Sequence, residues 1–283
     1  MYDQEQAVVQ AIVAKEETIV QIMQNIPMVI FALFLGPWSD TAGRKLLLCL
    51  PLIGYFLFAS CMILNVYFFD QLVVEFMWLE TIRALFGGWV LFFLGGYGLI
   101  SDTTSEKSRT MRIAIFDGTF AVSNTIGSFV NGYIFKALGY YGSFGIGGFS
   151  NLIGVVIAFC AIHEIPKETK EEEKKFFDLH NVFGSFKVLF KPRSNNLRFV
   201  LVLLFCGFQM FMVAVMGVGN VDYFYLRKKF EWGGDGEIVT FYSQLQSFTS
   251  AANIVSSFLV LPLFVKGYYF YIIQNLLIFF TRQ

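Results

Sequence analysis

Long apolar runs recur along almost the whole chain, and they constrain its fold more than any other feature. Ile19 to Leu35, Leu46 to Phe69, Ala84 to Ile100, Ile113 to Phe135, Phe144 to Ile162, Phe199 to Val221 and Ile238 to Val265 carry a single charged residue among them, Asp117. A shorter run, Tyr268 to Phe280, follows. A helix needs about 20 residues to cross the hydrocarbon of a bilayer, and a backbone amide left unpaired there is costly, so such runs read as spans. Barrel strands are near ten residues and alternate in polarity, which these runs do not. The expected fold class is an all-α polytopic membrane protein with about seven to eight transmembrane helices.

Composition agrees. Of 283 residues, 56% are hydrophobic and only 15% charged, with 35 phenylalanines and a mean hydropathy of +0.60. A soluble domain of this length has far more polar surface to cover than 21 basic and 21 acidic residues supply. Zero net charge without a basic face argues against nucleic acid as a partner. Cys49, Cys61, Cys160 and Cys206 lie inside apolar runs without metal-ligand spacing and read as small buried hydrophobes. The two histidines, His163 and His180, have no ligand cluster around them, and no serine or cysteine nucleophile has a matched base. No metal, no cofactor and no enzymatic activity are expected. Asp3, Glu5, Lys15, Glu16 and Glu17 break up the N-terminal stretch, so no signal peptide is expected there.

Loop charge sets orientation. Arg44 and Lys45 follow the first run, Lys107, Arg109 and Arg112 the third, and Lys167, Lys170, Lys174, Lys175, Lys187, Lys191 and Arg193 the fifth. The loop from Asp70 to Arg83 holds Asp70, Glu75 and Glu80 against one arginine. The positive loops are therefore placed in the cytoplasm. His163 to Asn196 is the longest polar segment, and it divides the chain into an N-terminal bundle (1–165), a central cytoplasmic loop (166–197) and a C-terminal bundle (198–283). Phe176 to Phe190 has roughly helical apolar spacing with interleaved lysines, which fits either an interfacial helix or a solvated linker. Amides within the runs, including Gln24, Asn124, Gln244 and Gln246, can line a pathway or join helices.

The shortest break is FLGPWSDTAGRKLLL, Phe34 to Leu48. Gly36 and Gly43 permit close or unusual backbone geometry, Asp40 can accept amide hydrogen bonds at a helix start, and Arg44 and Lys45 hold the cytoplasmic end. The spacing G-x-x-x-D-x-x-G-R-K resembles the signature loop between the second and third helices of the major facilitator superfamily. A second stretch, GYGLISDTTSEKSRTMRIAIFDG from Gly96 to Gly118, resembles the proton-coupled folate transporter family, solute carrier family 46, and its invertebrate relatives.

The resemblance implies a partial major facilitator fold and transport of a small organic solute by alternating access. It makes Gly36, Asp40, Gly43, Arg44 and Lys45 a conformational latch, and Asp102, Lys107, Arg109 and Arg112 a cytoplasmic loop network. Asp117 falls where folate-transporting members have an intramembrane glutamate linked to proton coupling, whereas Gly88 falls where they have an aspartate. The implied partners are a small-molecule substrate such as an organic anion, protons and the lipid bilayer. Plasma membrane is the default location, and a lysosomal or other endomembrane one fits relatives. The family is a twelve-helix fold, so the expectation is an incomplete chain lacking the first helix and the last four. The alternative to a transporter is a truncated, non-transporting membrane protein or gene-model fragment.

Overall fold

A computed structural model describes residues 2–71, 74–162, 197–230 and 235–255, and every regular element among them is helical. Helix α1 spans Tyr2–Ala42 and α2 spans Lys45–Tyr67. Short 3-10 turns at Phe69–Gln71 and Val74–Thr81 lead into α3, Ile82–Leu85, and α4, Gly88–Thr103. Then come α5, Glu106–Ala161, α6, Leu197–Lys229, and α7, Asp235–Val255. Helix is what these apolar sequences must form in lipid, because it pairs every backbone amide within its own segment. Among the described residues, Ile12–Ser39, Lys45–Tyr67, Trp78–Thr103 and Glu106–Ala161 are long and apolar enough to cross a membrane. The central segment 163–196 and the run Tyr268 to Phe280 lie outside the described residues, as does the end of the run Ile238 to Val265.

The runs Ile113 to Phe135 and Phe144 to Ile162 emerge as one helical stretch of 56 residues. At about 1.5 Å per residue that is far longer than a bilayer of about 30 Å, so it serves as two spans. The break is Gly139, whose φ of 63° and ψ of −155° are closed to residues with a side chain. Two further expectations change. Helical turns begin at Val74, so Glu80 and Arg83 belong to the start of the third span instead of an irregular loop. Cys49 is buried and Cys61 half-buried, but Cys160 and Cys206 are exposed on the helix surface.

The chain divides into two compact units, one made of residues 1–105 and 140–226 and the other of 106–139 and 227–283. In the first, Leu35, Leu47 and Leu91 meet in a fully buried core, with Phe31, Trp38, Leu50 and Leu94 packed around them. Lipid tails are as apolar as leucine, so close packing between helices, not escape from water, holds them together. Gly54 and Gly95 make it possible: a Cβ at Gly54 would stand 2.6 Å from Phe86 Cβ, and one at Gly95 would stand 2.9 Å from Leu47 Cβ.

In the second unit, α7 crosses α5 at Gly132, where an added Cβ would lie 3.0 Å from Ser243 Cβ. Thr240 Oγ1 shares its proton between the Gly236 carbonyl of its own helix (2.7 Å) and the Gly132 carbonyl (3.2 Å), while Gln244 Nε2 donates to Tyr133 Oη (3.2 Å) and Asn124 Nδ2 to Ser250 Oγ (3.0 Å). Asn124 and Gln244 therefore join helices.

Gly54→Ala is expected to lower the thermal midpoint of the full chain in detergent, by the equivalent of about 1–3 kcal/mol of overpacking. Gly145→Ala, where nothing lies within 4 Å of the added carbon, is the control and should leave it unchanged or raised. Equal losses at both sites would contradict the packing described.

Candidate functional site

Helix α1 runs through Ala42, which corrects one expectation: Asp40 sits in its last turn and not at a helix start. Its side chain lies outside what the structure describes. The chain leaves α1 through Gly43, whose φ of 105° is the left-handed conformation that ends helices, and its amide donates to the Ser39 carbonyl at 3.1 Å. Arg44 is the N-cap residue of α2 but makes no capping hydrogen bond through its side chain. Two cations at the positive end of a helix are electrostatically misplaced, so each must find its partner elsewhere.

Arg44 finds it on α4. Its Nε donates to Asp102 Oδ2 at 2.9 Å, and its Nη1 to Ser39 Oγ at 2.6 Å. Ser39 is fully buried and passes its own proton to the Gly36 carbonyl at 2.7 Å, so the guanidinium joins the end of α1 to the end of α4. Asp102 lies in the last turn of α4, where a carboxylate faces the negative end of the dipole, and Arg44 offsets that too. The side chains are 14% and 32% exposed, so water screens the pair only in part. Lys45 takes the other direction: its Nζ lies 4.1 Å from the centre of the Phe159 ring, a cation–π contact with the last stretch of α5. Gly36 adds closeness, with the Leu94 side chain 3.3 Å from where its Cβ would be.

Ser39, Gly98 and Phe159 belong to this cluster, although sequence reasoning did not select them. Gly98 stands one turn before Asp102 on α4, and a Cβ there would lie 2.8 Å from Arg44 Nε and 2.9 Å from Cζ. The missing side chain is the channel through which Arg44 reaches the carboxylate. A glycine four residues ahead of an acid, on the same helix face, was the available signal.

The remaining candidates lie past Ser105, in the second unit. Lys107 and Arg112 are exposed on the first turns of α5, Arg109 is half-buried, and Asp117 is exposed. They form one basic helix start, introduced by Glu106, which suits the dipole there. Gly88 has φ at 51°, in the left-handed region, and an added Cβ would stand 2.5 Å from Met28 Sδ, so a side chain there would have to displace the end of Met28.

A family model described as Major Facilitator Superfamily matches residues 18–281. The chain belongs to the major facilitator superfamily. Among curated relatives, it is 26% identical over 199 residues to the lysosomal proton-coupled steroid conjugate and bile acid symporter SLC46A3 of Gallus gallus, covering 68% of this chain and 42% of that one. It is 27% identical over 189 residues to the proton-coupled folate transporter of Rattus norvegicus (66% and 40%). It is 25% identical over 210 residues to the probable peptidoglycan muropeptide transporter SLC46 of Drosophila melanogaster (71% and 40%). The match thus spans less than half the length of each of these relatives, and all three are of solute carrier family 46 type, as the loops at Gly36 and Asp102 suggested. The superfamily is one of membrane transporters, not enzymes, and a multi-pass helical membrane protein is the fold class expected.

Replacing Arg44 and Asp102 by alanine singly and together should give a coupling of about 0.5–1 kcal/mol in a double-mutant cycle on stability in lipid nanodiscs. Gly98→Ala, which crowds Arg44 off its path, should erase that coupling while both charges remain. Additive losses, or a coupling intact in the Gly98→Ala background, would show that the pair contributes nothing.

Proposed function

We propose that the chain transports a small organic solute across a membrane by alternating access, with the Arg44, Ser39 and Asp102 cluster as its cytoplasmic latch. The observation that carries the reading is the Arg44–Asp102 ion pair, formed between the two loops by which the superfamily and solute carrier family 46 are recognised. An ion pair at the mouth of a helix bundle is a two-state element: formed, it holds α1, α2 and α4 together; broken, it lets them part. Lys107, Arg109 and Arg112 extend the cationic cytoplasmic surface. On this reading 1–165 and 198–283 are the two transmembrane bundles and 166–197 the cytoplasmic loop between them.

The substrate class is an organic anion. The named relatives are transporters of folate, of steroid conjugates and bile acids, and of muropeptides, and all of these bear acidic groups. Protons are the second partner, because two of those relatives are named as proton-coupled. Asp117, the one charge in the apolar runs, is the group that takes up and releases the proton, since a carboxylate at that depth is stable only when protonated, paired or in contact with a polar cavity. The membrane is the plasma membrane, with a lysosomal membrane as the alternative that the SLC46A3 relatives support.

Full chain reconstituted in proteoliposomes should take up radiolabelled folate, a steroid sulfate or a muramyl peptide faster when an acid-outside gradient is imposed. Asp117→Asn should remove the acceleration by acid and leave uptake at neutral pH within about twofold, because only the protonation step is lost. Equal acceleration in the variant would remove Asp117 from the mechanism, and no uptake of any of the three by the parent would count against transport by this chain.

A further inference from the structure

A second polar tie closes the same helices about 22 Å along α1 from Ser39, at the opposite end of the bundle. Arg83 Nη2 donates to Gln24 Oε1 at 3.1 Å and to Glu80 Oε2 at 3.3 Å, while Gln24 Nε2 donates to the same Glu80 oxygen at 3.3 Å. Each member of the triangle bonds to the other two. Gln24 is 8% exposed, and the Arg83 guanidinium lies 4.8 Å from the centre of the Phe58 ring on α2. One side chain therefore binds α1, α2 and the 3-10 turn before α3 together. Trp78 Nε1 pins that turn to α1 once more through Glu16 Oε2 at 3.2 Å, beside Glu17 on the same helix. The Arg83 guanidinium and the Trp78 indole thus hold the turn 74–81 against α1, and in a partly dehydrated site such a charge-assisted network is worth more than its exposed counterpart.

We propose that Gln24, Glu80 and Arg83 form a second latch, at the bundle end opposite Arg44 and Asp102, which keeps the 74–85 corner closed over α2. Arg83 is its positioning residue. The geometry requires no substrate, and the proposal rests on the alternating-access reading only for its consequence, that one latch opens as the other closes. Tyr55 is half-buried on α2 beside Gly54, where an added Cβ would stand 2.6 Å from Phe86 Cβ and 3.3 Å from the Arg83 carbonyl oxygen, so the corner packs against this stretch of α2.

The test uses the full chain in lipid nanodiscs, both faces of which are open to a charged maleimide, with Tyr55→Cys introduced after Cys49, Cys61, Cys160 and Cys206 are replaced by alanine. Arg83→Ala and Gln24→Ala should each raise the rate of labelling at position 55 by on the order of tenfold, the factor that corresponds to about 1.4 kcal/mol. Glu80→Arg combined with Arg83→Glu should return the rate most of the way to its starting value. Asp102→Ala should not raise it. If Arg83→Ala does not fold, Glu80→Gln reads the same tie, because it removes the charge and keeps the shape. No rise in any of these variants, or an equal rise in Asp102→Ala, would overturn the proposal. Because no solute is moved in this assay, its outcome is independent of whether the chain transports folate, steroid sulfate or muramyl peptide.

Discussion

The close crossing of α2 and α4 sets most of what the described structure can do. Leu47 and Leu48 lie against Gly95, and one turn on, Arg44 lies against Gly98, so the two backbones approach along a face with no side chains on one side. In lipid this closeness replaces the hydrophobic effect: the alternative contact for an apolar side chain is another hydrocarbon, and only better packing favours the helix. The same approach carries the chemistry. Arg44 reaches Asp102 because Gly98 leaves the path empty, and Arg44 is aimed there because Gly43 turns the chain sharply out of α1.

Charge in this protein follows from that frame. A guanidinium or carboxylate inside the apolar part of a helix is tolerated only with a partner or near water, and the ion pairs Arg44–Asp102 and Arg83–Glu80 sit toward the two ends of the three spans Ile12–Ser39, Lys45–Tyr67 and Trp78–Thr103. Each involves an arginine rather than a lysine. The planar guanidinium divides its donors between two acceptors, Asp102 and Ser39 at one end, Glu80 and Gln24 at the other, and so ties more helices together than an ammonium held at one point. Lys45, by contrast, rests over Phe159.

Helix positions were legible in the sequence because hydrocarbon thickness dictates span length, and the runs beginning at Ile19, Leu46 and Ala84 recur as α1, α2 and α3–α4, with α1 extended at both ends and α4 extended to Thr103. The ends moved because amphipathic and charged turns such as Val74–Thr81 can stay helical when partnered, which hydropathy alone does not register. The turn at Gly43 was legible as a motif, and Arg44 and Asp102 were both named, but not as partners. Pairing is a property of the crossing, and the crossing is set by Gly95 and Gly98, whose spacing on one face can be read only after the helix opposite them is known. Asp40 was read as a cap because an acid before a basic pair suggests a helix start. The structure carries α1 from the expected stop at Leu35 on to Ala42, through Pro37, which lies inside the helix.

Gly88 bears on how protons enter the reading. Its left-handed backbone conformation and the sulfur of Met28 beside it favour a residue without a side chain at this position. Met28 fills the space beside it adaptably and without charge. Proton coupling, as proposed, then runs through Asp117 in the second unit, while in the first unit Asp102 and Glu80 are held by Arg44 and Arg83. That separation has a physical merit. An acid held by an arginine favours its ionised form and resists protonation, whereas an acid that exchanges a proton must have access to both forms. Latching and proton exchange make opposite demands on a carboxylate, and the function proposed assigns them to residues of different units.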